Sequence, residues 1–421
     1  MLVPWWIPAL LLGIVVVLVM ALYSARAQRS SRVRLGRVEA FRDLLPSISG
    51  LTRGWLVDGN RVEILQNGDG FFPRLLADFA AARESIHLES YVWWKGDICH
   101  RVAEALAARA RAGVEVRLVL DALGAATAEA DLLETMRGAG CEVCLYHPFE
   151  LRALGRLNQR THRKLAVMDA RVGFIMGHGF ASEWEGDARG EDCWSDTGAR
   201  IEGPVVSRIQ AAFASNWMEE TAEVLAGDEY FPELPEAGGV RCQVVASKPA
   251  GGVSPASLLH KLMIATANHE LLIQNPYFCP DADLVGLLLA AVERGASVRI
   301  MVPGPVTDSP AVMHAGHVWF PRLLAAGVEL WEYQPSLPHQ KVLVVDGTWC
   351  ALGSMNFDER SLDINAEIAL GVLDDGVCEE LRQAFARDLT VSKQLSPEAW
   401  RSRGLWHRIV DRAAYLIHEQ L

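Results

Sequence analysis

Two triplets of polar residues carry most of the chemistry this chain can do. His162, Lys164 and Asp169 form one; His339, Lys341 and Asp346 form the other. Their positions differ by a constant, since 339 − 162, 341 − 164 and 346 − 169 each give 177. Chance rarely repeats H-x-K-x-x-x-x-D within residues 161–170 and again within residues 338–347. Residues i and i+2 of an extended strand share a face, so each histidine is expected beside its lysine. An imidazole next to a fixed cation suits an anionic phosphate: one group attacks or moves a proton, the other holds negative charge. A lone histidine or lysine on a strand is ordinarily structural. Two copies in register point instead to one symmetric site with a histidine from each half.

The aspartates of the triplets read differently. Each lies seven residues past its histidine, on the opposite face and roughly 23 Å away along an extended strand. Asp169 and Asp346 are therefore expected to shape turns through their own backbone. Asp346-Gly347 is a strong hairpin signal, and Asp169-Ala170 a weaker one at the same place. The carboxylate that fixes each imidazole tautomer should come from a neighbouring strand. Asp196 and Glu367 are the candidates, because they occupy matching places in the repeat.

The repeat is wider than the triplets. RAGVEVR at 111–117 resembles ERGASVR at 293–299, and GAGCEVCLYHP at 138–148 resembles AAGVELWEYQP at 325–335. Its period is too long for a solenoid, so it reads as a duplicated domain. Helices are expected at 71–82 and 98–112, and strands at 85–93 and 114–120. The second half repeats them, with helices at 255–268 and 282–294 and strands at 270–275 and 297–302. This alternation implies an α/β fold of two repeated domains with mixed, largely parallel sheets packed around a shared active site. The domains are expected at 51–235 and 240–392, joined by the Pro/Gly-rich stretch FPELPEAGG at 231–239. An amphipathic helix should follow at 397–421. Its Leu405, Trp406, Ile409, Val410, Ala413, Leu416 and Ile417 share a face, with Arg401, Arg403, Arg408 and Arg412 nearby. It either docks on the second domain or lies at a membrane interface.

The chain has 421 residues and a formal net charge of −12. A nucleic-acid binder usually shows a basic stripe, and none is evident outside residues 26–50, so nucleic acid is not an expected partner. Eight cysteines are scattered, and Cys141-x-x-Cys144 lacks the second pair that would complete a zinc site. No metal and no cofactor are expected. Residues 2–23 carry no charge and read as a transmembrane anchor within 1–25. A cleaved signal peptide is the competing reading, weakened by the missing basic leader. The arginine-rich linker that follows, at 26–50, places the catalytic domains on the cytoplasmic side of a single-pass protein.

The doubled motif, with Gly353-Ser354-Met355-Asn356 after its second copy, resembles the phospholipase D superfamily. Within it the chain is most similar to bacterial cardiolipin synthases, through SYVWW at 90–94, WSDTGARIEGP at 194–204, NPYFCP at 275–280, Thr307-Asp308 and GSMNFDERSLDIN at 353–365. The resemblance covers most of residues 54–390. It counts both triplets, aspartates included, as catalytic, and implies Ser354 and Asn356 as phosphate or substrate ligands. It also implies a two-step mechanism without metal, in which His162 attacks phosphorus and His339 moves the protons. The implied substrates are phospholipids, phosphatidylglycerol above all and phosphatidylethanolamine as a further one, at the bacterial inner membrane. The first half departs from the pattern: Met176, Gly177 and Gly179 stand where Gly353, Ser354 and Asn356 stand in the second, and His178 replaces Met355. His178 is expected to be a satisfied local histidine. A hydrolytic phospholipase D, a nuclease of the same superfamily and a catalytically silent membrane scaffold remain rival readings. Intact histidine–lysine pairs oppose the last.

Overall fold

The computed structural model describes residues 13, 44–149, 156, 158–248 and 254–420. The expected membrane anchor lies outside these residues, apart from Gly13. Among the described residues no helix is long and apolar enough to cross a membrane.

The first half runs α1 (Leu45–Thr52), β1 (Val57–Gln66), α2 (Asn67–Ala81), β2 (Ser85–Ser90), α3 (Asp97–Arg111), β3 (Glu115–Asp121), α4 (Ala130–Gly138), β4 (Glu142–Tyr146), β5 (Leu165–Met168), β6 (Val172–Met176), β7 (Thr197–Glu202) and α5 (Val206–Thr221). The second runs β8 (Val240–Ser247), α6 (Pro255–Ala265), β9 (Glu270–Gln274), α7 (Ala282–Glu293), β10 (Ser297–Pro303), α8 (Pro310–Gly316), α9 (Phe320–Ala325), β11 (Glu329–Tyr333), β12 (Val342–Val345), β13 (Trp349–Gly353), β14 (Glu367–Leu373) and α10 (Asp375–Leu389). The chain then adds β15 (Ser392–Gln394), α11 (Pro397–Arg401) and α12 (Leu405–Tyr415). The expected helices and strands fall within a few residues of these bounds, because apolar spacing fixes them. In α3, for example, Ile98, Val102, Ala103 and Leu106 form the buried stripe.

The sheet departs from expectation. Among the described residues one fifteen-stranded sheet runs through both halves, in the order β15-β11-β10-β9-β12-β13-β14-β8-β1-β7-β6-β5-β2-β3-β4. Read outward from the centre, each half repeats one order, and the halves join where β1 pairs antiparallel with β8. Only β2-β3-β4 and β9-β10-β11 are parallel, so the sheet is mixed and mostly antiparallel, not largely parallel. The βαβ units are present in both halves, but each motif hairpin inserts two antiparallel strands beside them. β6 also packs against β13 and β14, and β7 against β13. A shared apolar core results, in which Leu165 and Ile175 of one half meet Val344 and Leu352 of the other under α5 and α10.

Two further boundaries shift. Residues 45–50, expected as linker, begin α1, whose Ile48 packs with Leu44 into the core of the second half. The C-terminal helix is two helices, α11 and α12, with Gly404 preceding the second.

The motif aspartates act in the frame. Asp169 accepts hydrogen bonds from the backbone N–H groups of Arg83, Glu84 (2.7 Å) and Ser85 (2.9 Å), tying its turn to β2. Asp346 accepts from Asn268, His269 (2.7 Å) and Glu270 (2.9 Å), tying the matching turn to β9. Both turns use positive φ, 51° at Asp169 and 52° at Ala170, 51° at Asp346 and 66° at Gly347. The grouping of Asp169 and Asp346 with the catalytic residues is thereby corrected: their oxygens serve backbone donors at the far end of each strand. Asp346→Ala should cost about 2 kcal/mol or more, because three N–H donors lose a charged acceptor. Turnover per folded molecule should be unchanged. Ala170→Gly should stabilise by about 1 kcal/mol, since alanine is strained in the left-handed region. Thermal melts with turnover measured on the folded fraction check both. An Asp346→Ala protein that melts normally yet turns over nothing would contradict the framework role.

Candidate active site

Each motif segment approaches its hairpin in extended form and crosses to the opposite half. The His162 N–H donates to the Ala366 carbonyl (2.8 Å), and the Ala366 N–H donates to the Arg160 carbonyl (2.9 Å). The same pattern joins Ser195 to Leu337 (3.0 Å) and His339 to Ser195 (2.6 Å). These two parallel bridges, Thr161 with Ala366 and Ser195 with Pro338, set the register. They bring Glu367 to His162 and Asp196 to His339. The His162 Nδ1 lies 2.9 Å from one Glu367 oxygen, and the His339 Nδ1 lies 2.7 Å from Asp196. Each carboxylate thus serves the histidine of the other half. Both are fully buried, so each Nδ1 is held as the donor and each Nε2 keeps its lone pair.

The carboxylates are themselves held, by different means in the two halves. Glu367 accepts from the Ser354 and Ser361 hydroxyls, the latter at 2.6 Å. Asp196 accepts from the Trp184 indole N–H (2.8 Å) and from the Thr197 N–H (2.8 Å). Ser354 therefore does not take the expected place of a phosphate ligand: it is fully buried and its hydroxyl is committed to Glu367 and the Ile368 backbone. Asn356 does line the cavity, and its side-chain oxygen is buried without a partner among the described residues. The departures in the first half follow from shape. A Cβ at Gly177 would stand 2.1 Å from an Asp196 oxygen, and one at Gly179 would meet Val92 and Trp184. Serine at 177 would displace the carboxylate that Trp184 now holds. His178 stacks on Phe71 at 4.1 Å, and burial drops it to about 4, so it is a neutral core ring, though neither nitrogen has a partner among the described residues.

His162, Lys164 and His339 face one open cavity of about 180 Å³. Tyr91 packs edge-on against His162 (5.1 Å), while Trp184 and Trp194 flank His339. The opposite wall carries Tyr277, Asp308, Asp358 and Arg360. Burial pushes the Asp358 carboxyl up to about 7 and raises Asp308, whose carboxylate accepts from the Tyr277 hydroxyl. Sequence reasoning did not single out these wall residues. All four lie inside the stretches quoted above, but nothing in their types distinguishes lining from core.

The lysines sit beside the rings. Lys341 Nζ lies 2.9 Å from His339 Nε2, and Lys164 Nζ donates to the His162 carbonyl at 3.3 Å. Burial lowers both cations: Lys164 to about 7, with Lys341 adding repulsion, and Lys341 to about 8 against the pull of Asp196 and Asp308. Burial also lowers His162, which Glu367 partly restores, and holds His339 well below its ordinary range, with Lys341 and Lys164 adding to the shift. These shifts favour two neutral imidazoles beside two lysines close to titration. A bound dianion or phosphodiester would stabilise every positive charge here.

The family described as "Cardiolipin synthase, PLD-like domain" matches residues 75–217 and 261–389. The chain is 32% identical over 363 residues to the major cardiolipin synthase ClsA of Bacillus subtilis (strain 168), covering 86% of this chain and 75% of that one. It is 30% identical over 383 residues to a cardiolipin synthase of Listeria monocytogenes (serotype 4b, strain F2365), covering 90% and 79%. Among solved structures, phosphatidylserine synthase of Haemophilus influenzae Rd KW20 superposes with a TM-score of 0.70 at 13% identity, over 90% of this chain and 100% of that one. Polyphosphate kinase of Porphyromonas gingivalis superposes at 0.55 with 14% identity, over 92% and 57%. These structural likenesses concern the fold alone.

Anion affinity should follow the lysines. A lysine lowered to about 7 or 8 is charged below that pH and neutral above it. Binding of sulfate, whose own charge is constant here, should therefore be strongest near pH 6 and fade as pH rises through about 7 to 8. The readout is the sulfate-dependent gain in melting temperature at matched ionic strength, relative to Lys164→Met. An equal gain near pH 9 would contradict the assignment.

Proposed function

The chain belongs to the cardiolipin synthase family of phospholipase D-like enzymes, and on that premise we propose that it joins two phosphatidylglycerol molecules into cardiolipin with release of glycerol. It is a phosphatidyltransferase of the cardiolipin synthase type. The observation that carries the mechanism is the crossed pairing of each buried imidazole with the carboxylate of the other half.

In the proposed reaction the His162 Nε2 lone pair attacks phosphorus while Glu367 holds the Nδ1 proton. A P–N bond forms and the P–O bond to the departing glycerol breaks. His339, protonated once the phosphodiester is bound, gives its Nε2 proton to the leaving oxygen, and Asp196 stabilises the imidazolium. A hydroxyl of the second phosphatidylglycerol then returns a proton to His339 Nε2, attacks phosphorus and breaks the P–N bond. Lys164 and Lys341 hold the non-bridging oxygens throughout, where fixed charge lowers the barrier most. Asn356, which lines the cavity, is a ligand for the substrate: its amide NH2 can donate to a phosphate oxygen and its unpartnered carbonyl oxygen can accept from a hydroxyl. The proposal also takes residues 2–23 as a single membrane anchor, with the catalytic halves on the cytoplasmic face of the bacterial inner membrane. Protease protection in intact and opened spheroplasts tests that placement.

Purified full-length protein given phosphatidylglycerol should yield cardiolipin and glycerol in equal amounts; phosphatidic acid as main product would indicate water as acceptor. A parallel reaction with phosphatidylethanolamine added tests the second donor. With labelled phosphatidyl donor, His339→Ala protein should accumulate acid-labile phosphohistidine and His162→Ala protein should not. The reverse would exchange the two roles.

Two lysines already supply the charge that a divalent ion would bring. Activity of metal-stripped protein should therefore persist in excess EDTA. Complete loss restored by one specific divalent ion would refute this; mild stimulation by any cation would not, because cations also change anionic lipid surfaces.

A further inference from the structure

We propose that α12 is an interfacial platform: its outward face enters the surface of an anionic bilayer and sets the mouth of the catalytic cavity against the headgroups. This rests on the phospholipid reading of the cavity and adds the device that brings the enzyme to its substrate.

The helix is mounted with its polar side inward. Asp411 is buried, 2.8 Å from His314 Nδ1 on α8 and 3.1 Å from Arg403. His418, just past the helix, is buried 3.4 Å from Glu359, and the Gln420 carbonyl accepts from Arg360. Ala414 packs against the cluster of Cys279, Val312 and Ala315, as Tyr277 does. Tyr277, Val312 and Arg360 all line the catalytic cavity. The inner side of α12 is thus fastened to the cavity wall.

The outer side is apolar. Leu405, Trp406, Ile409, Leu416 and Ile417 are 72%, 71%, 48%, 80% and 55% exposed. Leu405, Trp406 and Ile409 share one face of α12, and Leu416 and Ile417 lie in the turn that follows it. A helix that buries its aspartate and presents tryptophan, leucine and isoleucine to solvent is the reverse of a surface helix built for water. It matches an interfacial helix, whose apolar residues enter the boundary of headgroups and acyl chains.

The charge beside this face selects the partner. The protein carries a formal net charge of −12, yet a cavity of about 330 Å³ next to α12 is lined by Arg401, Arg403, Arg408 and Arg412 with Trp400. Among the described residues Asp411 is the one carboxylate that lines it, and it is already paired with Arg403. Arg403 also stacks on Trp400 at 4.0 Å. An anionic lipid surface satisfies both the apolar stripe and the arginines. Leu123 and Phe149, which follow β3 and β4, are 62% and 73% exposed. Leu123 lies close to the site, because Asp121 accepts from its N–H and from that of Thr161, beside His162.

The test uses full-length protein reconstituted in vesicles, with Trp406→Cys labelled by the environment-sensitive dye NBD and the parent chain treated alike as background. In phosphatidylglycerol-containing vesicles the dye should emit to the blue and be quenched by lipids spin-labelled near the headgroup. In pure phosphatidylcholine vesicles the quenching should weaken at least about threefold, since the arginines then lose their anionic partners. Blue-shifted emission without lipid quenching would mean that a second copy covers the helix, and water-like emission would mean that nothing does; either overturns the proposal. Independently, Ile409→Glu should lower the ratio of turnover on vesicles to turnover on dispersed short-chain phosphatidylglycerol at least tenfold, roughly the loss of one buried apolar side chain. An unchanged ratio would also overturn it. The quenching arm needs no activity, so it stands even if the protein proves to make a different lipid.

Discussion

The structure turns on two hydrogen bonds that cross between halves, Glu367 to His162 and Asp196 to His339. Four ionisable side chains are buried in these pairs and two lysines beside them. A buried carboxylate without a partner is costly, by several kcal/mol. Each half gives its own carboxylate hydroxyl or N–H donors, but the imidazole comes from the other half. If the halves separated, Asp196 would lose His339 and Glu367 would lose His162, so the active site and the domain interface are one object. The continuous sheet, the β1–β8 junction and the core shared under α5 and α10 supply the apolar burial that keeps this interface closed. The same burial lowers the lysines and histidines, so the site is poised for an anion that restores their charge.

The duplication is symmetric in chemistry and asymmetric in support. Glu367 is held by two hydroxyls, Ser354 and Ser361, and leaves its half room for Asn356 at the cavity wall. Asp196 is shorter, sits where a Cβ at Gly177 would collide, and is held by the Trp184 indole. Trp184 and Trp194 then shield His339, whereas among the described residues Tyr91 is the one aromatic ring that packs on His162. Two halves that began alike have thus become different enough for their histidines to take different roles, with His339 in the more strongly shielded and more positively charged setting.

Much of this was legible in the residues. The repeat offset paired His162 with His339, and the period-two rule set each lysine beside its histidine. Strand length alone removed Asp169 and Asp346 from the imidazoles, where Arg83–Ser85 and Asn268–Glu270 amides now hold them. Asp196 and Glu367 could be singled out by matching place, but not which histidine each would meet, because a crossing between halves leaves no local signal. The strand directions were hidden for a related reason. Alternating helices and strands mark βαβ units, while the four short hairpin strands of the motifs are buried on both faces and look like parallel ones. Ser354 was misplaced because a motif records that a hydroxyl is needed, not whether it faces the substrate or a carboxylate behind it. The helix at Leu45–Thr52 was missed because its apolar residues answer to a core almost two hundred residues away, at Val245 and Leu259.

The crossed pairing is tested most directly by the covalent intermediate in carboxylate variants. Glu367→Gln, in the second half, should behave like His162→Ala of the first half and form little phosphohistidine from labelled phosphatidyl donor. Asp196→Asn, in the first half, should behave like His339→Ala and let the label accumulate. The opposite correspondence, with each carboxylate variant mimicking loss of the histidine in its own half, would contradict the account.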